Sequence, residues 1–246
     1  MDGPRWQDEL ARLGAACGVR LSRDALVAMW RHWELVRQAT GRFNLTAIRD
    51  DAEALVRHYL DSLVLLGIAG PWAAEGFLAD LGSGAGFPGI PLLVALGPGW
   101  RGLLLESQVK KAAFLHEAVT VLGLDGRVTV EPVRAEEAGR TGAWREQADV
   151  VVARAVAPLN VLLEYGLPLL RVGGRLWAYK GPRVAEEWEA GGRAAAVLGG
   201  RLVGPREVEL PGGAGRRVLV EVLKEEPTPA AYPRRAGLPA RRPLGE

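Results

Sequence analysis

The chain predicts an α/β fold: a mostly parallel, Rossmann-like sheet of seven strands ending in an antiparallel hairpin, with a small helical region ahead of it. Three observations carry this. From residue 76 onward, short apolar runs alternate with stretches of helical periodicity. Residues 149–156 (DVVVARAV) are almost entirely apolar, as in a central parallel strand covered on both faces. Near the end, strand-like runs at 201–210 and 217–223 are separated only by Pro211-Gly212-Gly213-Ala214-Gly215, short enough for a hairpin.

Taken in order, residues 5–70 read as helices. Leu26, Trp30, Trp33 and Val36 recur at helical spacing after Ser22, a suitable N-cap. Leu55, Tyr59 and Leu63 do the same after Asp50 and Asp51, with Glu53 spaced to complete a capping box. Gly41–Thr46 is the connector, and the tryptophans at 6, 30 and 33 read as core. Strands follow at 77–81, 103–105, 128–133, 149–156 and 175–179. Helices are expected from about Pro88, over 108–122, over 159–170 with an end near Gly173-Gly174, and over 184–198. The expected units are a helical subdomain (1–72), a ligand-binding α/β domain (73–226) and a basic, Pro-rich tail (227–246).

Composition excludes several classes. Hydrophobic residues make up 48% of the 246, enough for a large core, and no run reaches the 18 or so apolar residues that span a bilayer. The N-terminus lacks a basic segment followed by an apolar one, so no secretory signal is read. Cys17 is the only cysteine, which rules out an internal disulfide or a multi-cysteine metal site, and His32, His58 and His116 lack ligand spacing. These features predict a cytoplasmic protein without a metal. No long apolar stripe demands a partner, so a monomer is expected. Net charge is only +2, so bulk charge alone does not argue for nucleic acid. The cations are nearly all arginine, which suits phosphate and base recognition but also fits a GC-rich coding bias.

The most informative segment is Leu78-Ala79-Asp80-Leu81-Gly82-Ser83-Gly84-Ala85-Gly86-Phe87-Pro88-Gly89. It reads as a buried strand ending in an acid, a loop nearly free of side chains, then a helix start. Glycine lets a ligand approach the backbone and tolerates positive φ. The dinucleotide fingerprint needs a third glycine at position 87, where Phe87 stands. An acid before G-x-G-x-G fits S-adenosylmethionine (AdoMet) better than NAD, and the alternation with a terminal hairpin is the plan of a class I AdoMet-dependent methyltransferase. Ligands of such sheets bind beyond the C-terminal strand ends. Glu106, at the end of the second strand, can accept both ribose hydroxyls or be a solvated acid; the glycine loop upstream favours the ribose role. Arg134-Ala135-Glu136 follows the third strand, where adenine contacts would lie, or is an ordinary loop.

The acceptor can be narrowed by chemistry. After the fourth strand stands Arg154-Ala155-Val156-Ala157-Pro158, without the Asn/Asp-Pro-Pro-aromatic motif that activates exocyclic amines. Methylation of a pyrimidine carbon needs a cysteine nucleophile, and Cys17 sits among the N-terminal helices. An acceptor that is already nucleophilic remains, and guanine N7 has a free lone pair and no proton to lose. Catalysis would then be mostly positioning with electrostatic handling of the moving charge. Arg154 is either the cation at the reaction edge or half of a structural ion pair. Small-molecule methylation on the same fold, and a catalytically silent module that binds AdoMet and RNA, are the alternatives.

Asp80-Leu81-Gly82-Ser83-Gly84-Ala85-Gly86-Phe87-Pro88-Gly89-Ile90-Pro91-Leu92 resembles the glycine motif of the GidB/RsmG family, the 16S ribosomal RNA guanine-N7 methyltransferases. Asn44–Ile48, Arg57–Leu63, Leu105-Glu106-Ser107 with Lys110-Lys111, Ala153–Ala157, Lys180-Gly181 and Tyr232–Gly237 resemble the family too, so the likeness runs from about 40 to 243. It implies AdoMet held by Gly82 and Phe87, by Glu106, Ser107 and Gln108, by Ala135 and Glu136, and by Arg154; the loop reading adds Gly84 and Gly86 to the donor site, and the acceptor chemistry makes Arg154 the catalytic candidate. It also implies methylation of guanine 527 of 16S rRNA, presented as RNA or as the small ribosomal subunit. Arg134, Arg154, Lys180, Arg183, Arg234 and Arg235 would line a positive RNA face, with surface solubility as the alternative for any one of the arginines and the stronger reading for Arg183 alone. The family commonly carries Lys at the position of Arg235.

Overall fold

The computed structural model describes residues 1–246. Helices α1 (Gly3–Ala16) and α2 (Arg23–Arg42) open the chain, capped by Asp2 and Ser22 side chains that accept the Arg5 and Ala25 amides. Then α3 (Asp51–Ala54), a π turn (Leu55–Leu60) and α4 (Asp61–Ala69) run on without a break. Asp50 caps α3 by accepting from the Ala52 and Glu53 amides, while the Glu53 side chain pairs with Arg57 at 3.5 Å. The cap is thus one-sided, and the expected capping box does not form. The α/β part is β1 (Gly76–Leu81), α5 (Gly89–Leu96), β2 (Trp100–Leu105), α6 (Val109–Val121), β3 (Val128–Glu131), α7 (Ala135–Ala138), β4 (Ala148–Arg154), α8 (Leu159–Gly166), β5 (Leu170–Lys180), α9 (Trp188–Val197), β6 (Gly200–Leu210) and β7 (Gly215–Lys224), with α10 (Leu238–Arg241) in the tail.

The seven strands lie in the order β3-β2-β1-β4-β5-β7-β6. Strands β1 to β5 pair in parallel; β7 enters antiparallel beside β5 and β6 closes the edge. The order reverses between β1 and β4, the switch point where open α/β sheets bind ligands. Residues alternate faces along each strand. Leu78, Leu104, Val130, Val152, Trp177 and Leu219 turn to the face covered by the N-terminal helices, and join Trp6, Met29, Trp33, Tyr59 and Leu63 in one core. Ala79, Leu81, Leu103, Leu105, Val151 and Leu176 turn to the face covered by α8 and α9. The N-terminal helices therefore form one layer of the fold and share its core.

Two boundaries differ from expectation. The helix over 159–170 stops at Gly166, because Pro168 cannot continue it; a 3-10 turn (Leu167–Leu169) leads directly into β5. Gly173-Gly174 then lies inside β5, where Gly173 has φ +83° and the register against β4 shifts. The helix over 184–198 divides into a 3-10 stretch (Pro182–Glu187) and α9. The tail is strapped down: Arg145 donates to the carbonyls of Gly139, Thr228 and Tyr232, and the Asn160 amide donates to Leu244 O. No helix is long and apolar enough to cross a membrane.

Candidate active site

The glycine loop hangs between the ends of β1 and β2. The Ser83 amide donates to Leu105 O at 3.0 Å, and the Gly84 amide donates to Glu106 Oε2 at 3.1 Å. Gly82, Gly84 and Gly86 have φ of +64°, +57° and +93°, which explains the residue type at each. Asp80 ties strand to helix: its Oδ2 accepts the Gly89 amide at 3.0 Å. A Cβ on Gly89 would lie 2.6 Å from that oxygen, so this glycine serves packing. On Gly84 a Cβ would meet nothing nearer than Gly82 O at 3.8 Å, so this glycine faces open space.

Beside the loop lies a cleft of about 260 Å³ lined by Gly82, Ser107, Arg134, Ala135, Glu136, Val156 and Tyr165, with Leu81, Leu105 and Val133 behind them; Gly84 is next to this lining and not part of it. The cleft sits at the C-terminal ends of β1 to β4. Of the expected ligand contacts, Gly82, Ser107, Ala135 and Glu136 line it. Glu106 sits at its inner edge, 5% exposed, and its Oε1 accepts the Gln108 amide at 2.7 Å. Each Glu106 oxygen keeps a lone pair beyond the backbone bond it accepts. Glu136 is buried and accepts the Gly237 amide at 2.9 Å, so the tail braces the cleft wall.

Other expected residues point elsewhere. Phe87 is buried, stacked on the His58 ring at 4.4 Å and edge-on to Tyr59 at 5.1 Å, so its side chain anchors the loop to the N-terminal helices. A Cβ on Gly86 would lie 2.5 Å from Ile90 Cδ1. Arg154 lies 5.4 Å from the centre of the Phe87 ring, and its Nη1 donates to Asp61 Oδ2 at 3.0 Å and to Arg57 O at 3.2 Å. Lys180 donates to Glu187 and to Ala157 O, both at 2.7 Å. Arg234 grips the buried Glu164, with its Nε 2.8 Å from Oε1. These two cations are neutralised inside the fold, which takes them out of the expected positive face. Arg134, Arg183 and Arg235 are exposed and unpaired. No cluster of three or more His, Cys, Asp or Glu is arranged to hold a metal.

Four features were not legible in the sequence. Val156 packs over Gly82, where a Cβ would meet its Cγ2 at 3.1 Å, and Tyr165 reaches the cleft from α8. His32 and Tyr59 reach the loop from the N-terminal helices. Asp80 has an Oδ1 with no hydrogen-bond partner, although it is buried. The acid before the glycines was the only sequence signal for any of these.

The orphan oxygen has a measurable consequence. Burial pushes the Asp80 carboxyl up to about 7 despite the hydrogen bond it accepts from the Gly89 amide. The folded chain then takes a proton below about pH 7 that the unfolded chain takes only near about pH 4. Stability withheld at higher pH is therefore recovered as pH falls through that window. Asp80→Asn is expected to exceed wild type in stability at about pH 8, with an advantage that shrinks by about 1.4 kcal/mol per unit as pH falls below about 7. His32 and His58 act with the opposite sign. Burial holds both at about 3, so their stability is present above 6.5 and lost as pH falls from there. They are common to both proteins and cancel in the difference. Urea unfolding at two pH values checks this; a constant difference would mean that Asp80 does not titrate there.

The glycine loop, the acid at the end of β2 and the cleft at the switch point together define a class I methyltransferase fold. Similar solved structures include cofactor-bound Rv0187 from MTB, with a TM-score of 0.57 at 20% identity over 81% of this chain and 90% of that one. Another is a SAM dependent methyltransferase from Aquifex aeolicus, with a TM-score of 0.51 at 21% identity over 71% of this chain and 94% of that one. The family described as rRNA small subunit methyltransferase G matches residues 26–208. Relatives named ribosomal RNA small subunit methyltransferase G are 48% identical in Symbiobacterium thermophilum, over 99% of this chain and 100% of the relative, and 48% identical in Roseiflexus castenholzii, over 96% and 99%. The chain belongs to the rRNA small subunit methyltransferase G family.

Proposed function

We propose that the chain transfers a methyl group from AdoMet to N7 of a guanine in 16S rRNA, guanine 527 by family resemblance, with the small ribosomal subunit or its RNA as partner. The observation that carries the reading is the Gly84–Glu106 arrangement: a loop amide and a buried carboxylate fixed together, whose chain neighbours Gly82, Leu105 and Ser107 line an open cleft. The residues fit the donor. Gly84 leaves its Cβ space free, Glu106 keeps acceptor capacity for ribose hydroxyls, and Asp80 Oδ1 is an unused buried acceptor behind the loop.

When bound, AdoMet supplies a methyl group on a positively charged sulfonium. Gly82 and Gly84 would give the donor backbone access, Glu106 would orient its ribose, and Ala135 and Glu136 would bound its adenine. Guanine N7 needs no base, which agrees with a cleft whose lining contains no histidine. The chain's contribution is then orientation, with Arg154 as the cation facing the acceptor. Arg134, Arg183 and Arg235 would take RNA phosphates and make binding salt-dependent.

The test is incubation with tritiated AdoMet and small-subunit particles lacking the modification, followed by borohydride reduction and aniline cleavage, which cuts at 7-methylguanine. Transfer with a cut at one guanine is expected. A folded protein that binds AdoMet without transferring label would be a docking module, and label on small molecules alone would make it a small-molecule enzyme; either overturns the reading.

A further inference from the structure

We infer that His32 and Tyr59 are positioning residues that hold the glycine loop in its donor-binding shape from the N-terminal helical layer. This deepens the proposed methyl transfer and rests on it. Ala85 stands at the crest of the loop, between two glycines of positive φ. Its carbonyl accepts no backbone amide; its partner is His32 Nε2 at 3.0 Å, 53 residues away on α2. The other ring nitrogen, Nδ1, lies 2.9 Å from the Tyr59 hydroxyl on the π turn. Both side chains are fully buried.

The chemistry fixes the direction of this relay. A carbonyl oxygen only accepts, so His32 Nε2 must carry the hydrogen. Burial holds the ring neutral, so Nδ1 carries none and accepts the Tyr59 O–H. Tyr59 thereby selects the one tautomer able to grip Ala85. Packing agrees: a Cβ on Gly86 would come within 3.1 Å of His32 Nε2, and the Phe87 ring lies 5.1 Å from both His32 and Tyr59. Leucine or phenylalanine at 32 would fill the same space without a buried polar ring. The ring's two hydrogen bonds are what such a residue lacks, and one of them ends on the loop.

Tyr59→Phe removes the selector and leaves the ring stack. Tyr179→Phe is the matched control: its buried hydroxyl donates to Ser62 O at 2.7 Å, also joining sheet to N-terminal layer, but does not touch the loop. Both variants are expected to lose similar thermal stability. Only Tyr59→Phe is expected to raise the AdoMet Kd, by about tenfold, with KM for the RNA substrate unchanged. Histidine ¹⁵N spectra should report the Nε2–H tautomer in wild type and a mixture in Tyr59→Phe. His32→Gln, which keeps an N–H donor, should bind AdoMet more tightly than His32→Leu. Equal AdoMet affinity in Tyr59→Phe and Tyr179→Phe overturns the inference. Failure of the wild type to bind AdoMet would instead overturn the proposed function.

Discussion

Gly84→Val is expected to abolish AdoMet binding, by about 100-fold or more in Kd, in a protein that still folds. Two effects combine. Gly84 has φ +57°, which a β-branched residue adopts only under strain. That strain costs on the order of 1–3 kcal/mol, tolerable against a stability of roughly 5–15 kcal/mol. The second effect is steric. The new Cβ has no protein atom closer than 3.8 Å, so the side chain grows into open space next to the cleft that Gly82 lines. The neighbouring glycines do not offer this separation. A Cβ at Gly89 would press on Asp80 and Leu104 at 2.6 and 2.7 Å, and one at Gly86 on Ile90 at 2.5 Å, so those variants would report on folding. Calorimetric titration with AdoMet and a thermal melt of the same sample check the expectation. Near-wild-type affinity in Gly84→Val would mean that the donor does not sit against this loop.

The sheet was legible because its signals are local. Residues 149–156 read as a covered central strand from composition alone, and residues 211–215 mark the hairpin by turn chemistry. Strand β5 was less so: Gly173-Gly174 reads as a helix stop, yet the stop is Pro168 and the glycines form a bulge inside the strand. At the site, the glycine loop and Glu106 were legible because one is a backbone requirement and the other follows from its place at a strand end. What was not legible is pairing over distance. Arg234 reads as a free tail cation until α8 brings Glu164, 70 residues away, beneath it. Lys180 meets Glu187 only because a 3-10 stretch turns back after β5. The tail reads only as a basic, Pro-rich segment, but Arg145 donates to three of its carbonyls, those of Thr228, Pro229 and Tyr232. A guanidinium that satisfies backbone carbonyls leaves no periodic trace in sequence.

Arg154 combines the two readings that its sequence position allows, and Arg154→Ala can separate them. Asp61 is 1% exposed and is held by two arginines. Arg217 grips it with both Nε, 2.6 Å from Oδ1, and Nη2, 3.1 Å from Oδ2, whereas Arg154 offers only Nη1. Breaking a buried pair is costly chiefly when it leaves a charge uncompensated. Removing Arg154 leaves Asp61 in its bidentate pair, so a stability loss of about 1–2 kcal/mol is expected. Removing Arg217 takes the stronger partner and is expected to cost more. Activity should rank the other way. Every protein acceptor of Arg154 lies at Nη1, so Nε and Nη2 remain available above the Phe87 ring. Methyl transfer is expected to fall by about 100-fold in Arg154→Ala and to change little in Arg217→Ala at a temperature where both are folded. Single-turnover transfer rates set beside urea unfolding curves for the two variants decide it. Activity losses that simply follow the stability losses, with Arg217→Ala the worse, would make Arg154 a structural ion pair and leave the reaction edge without its cation.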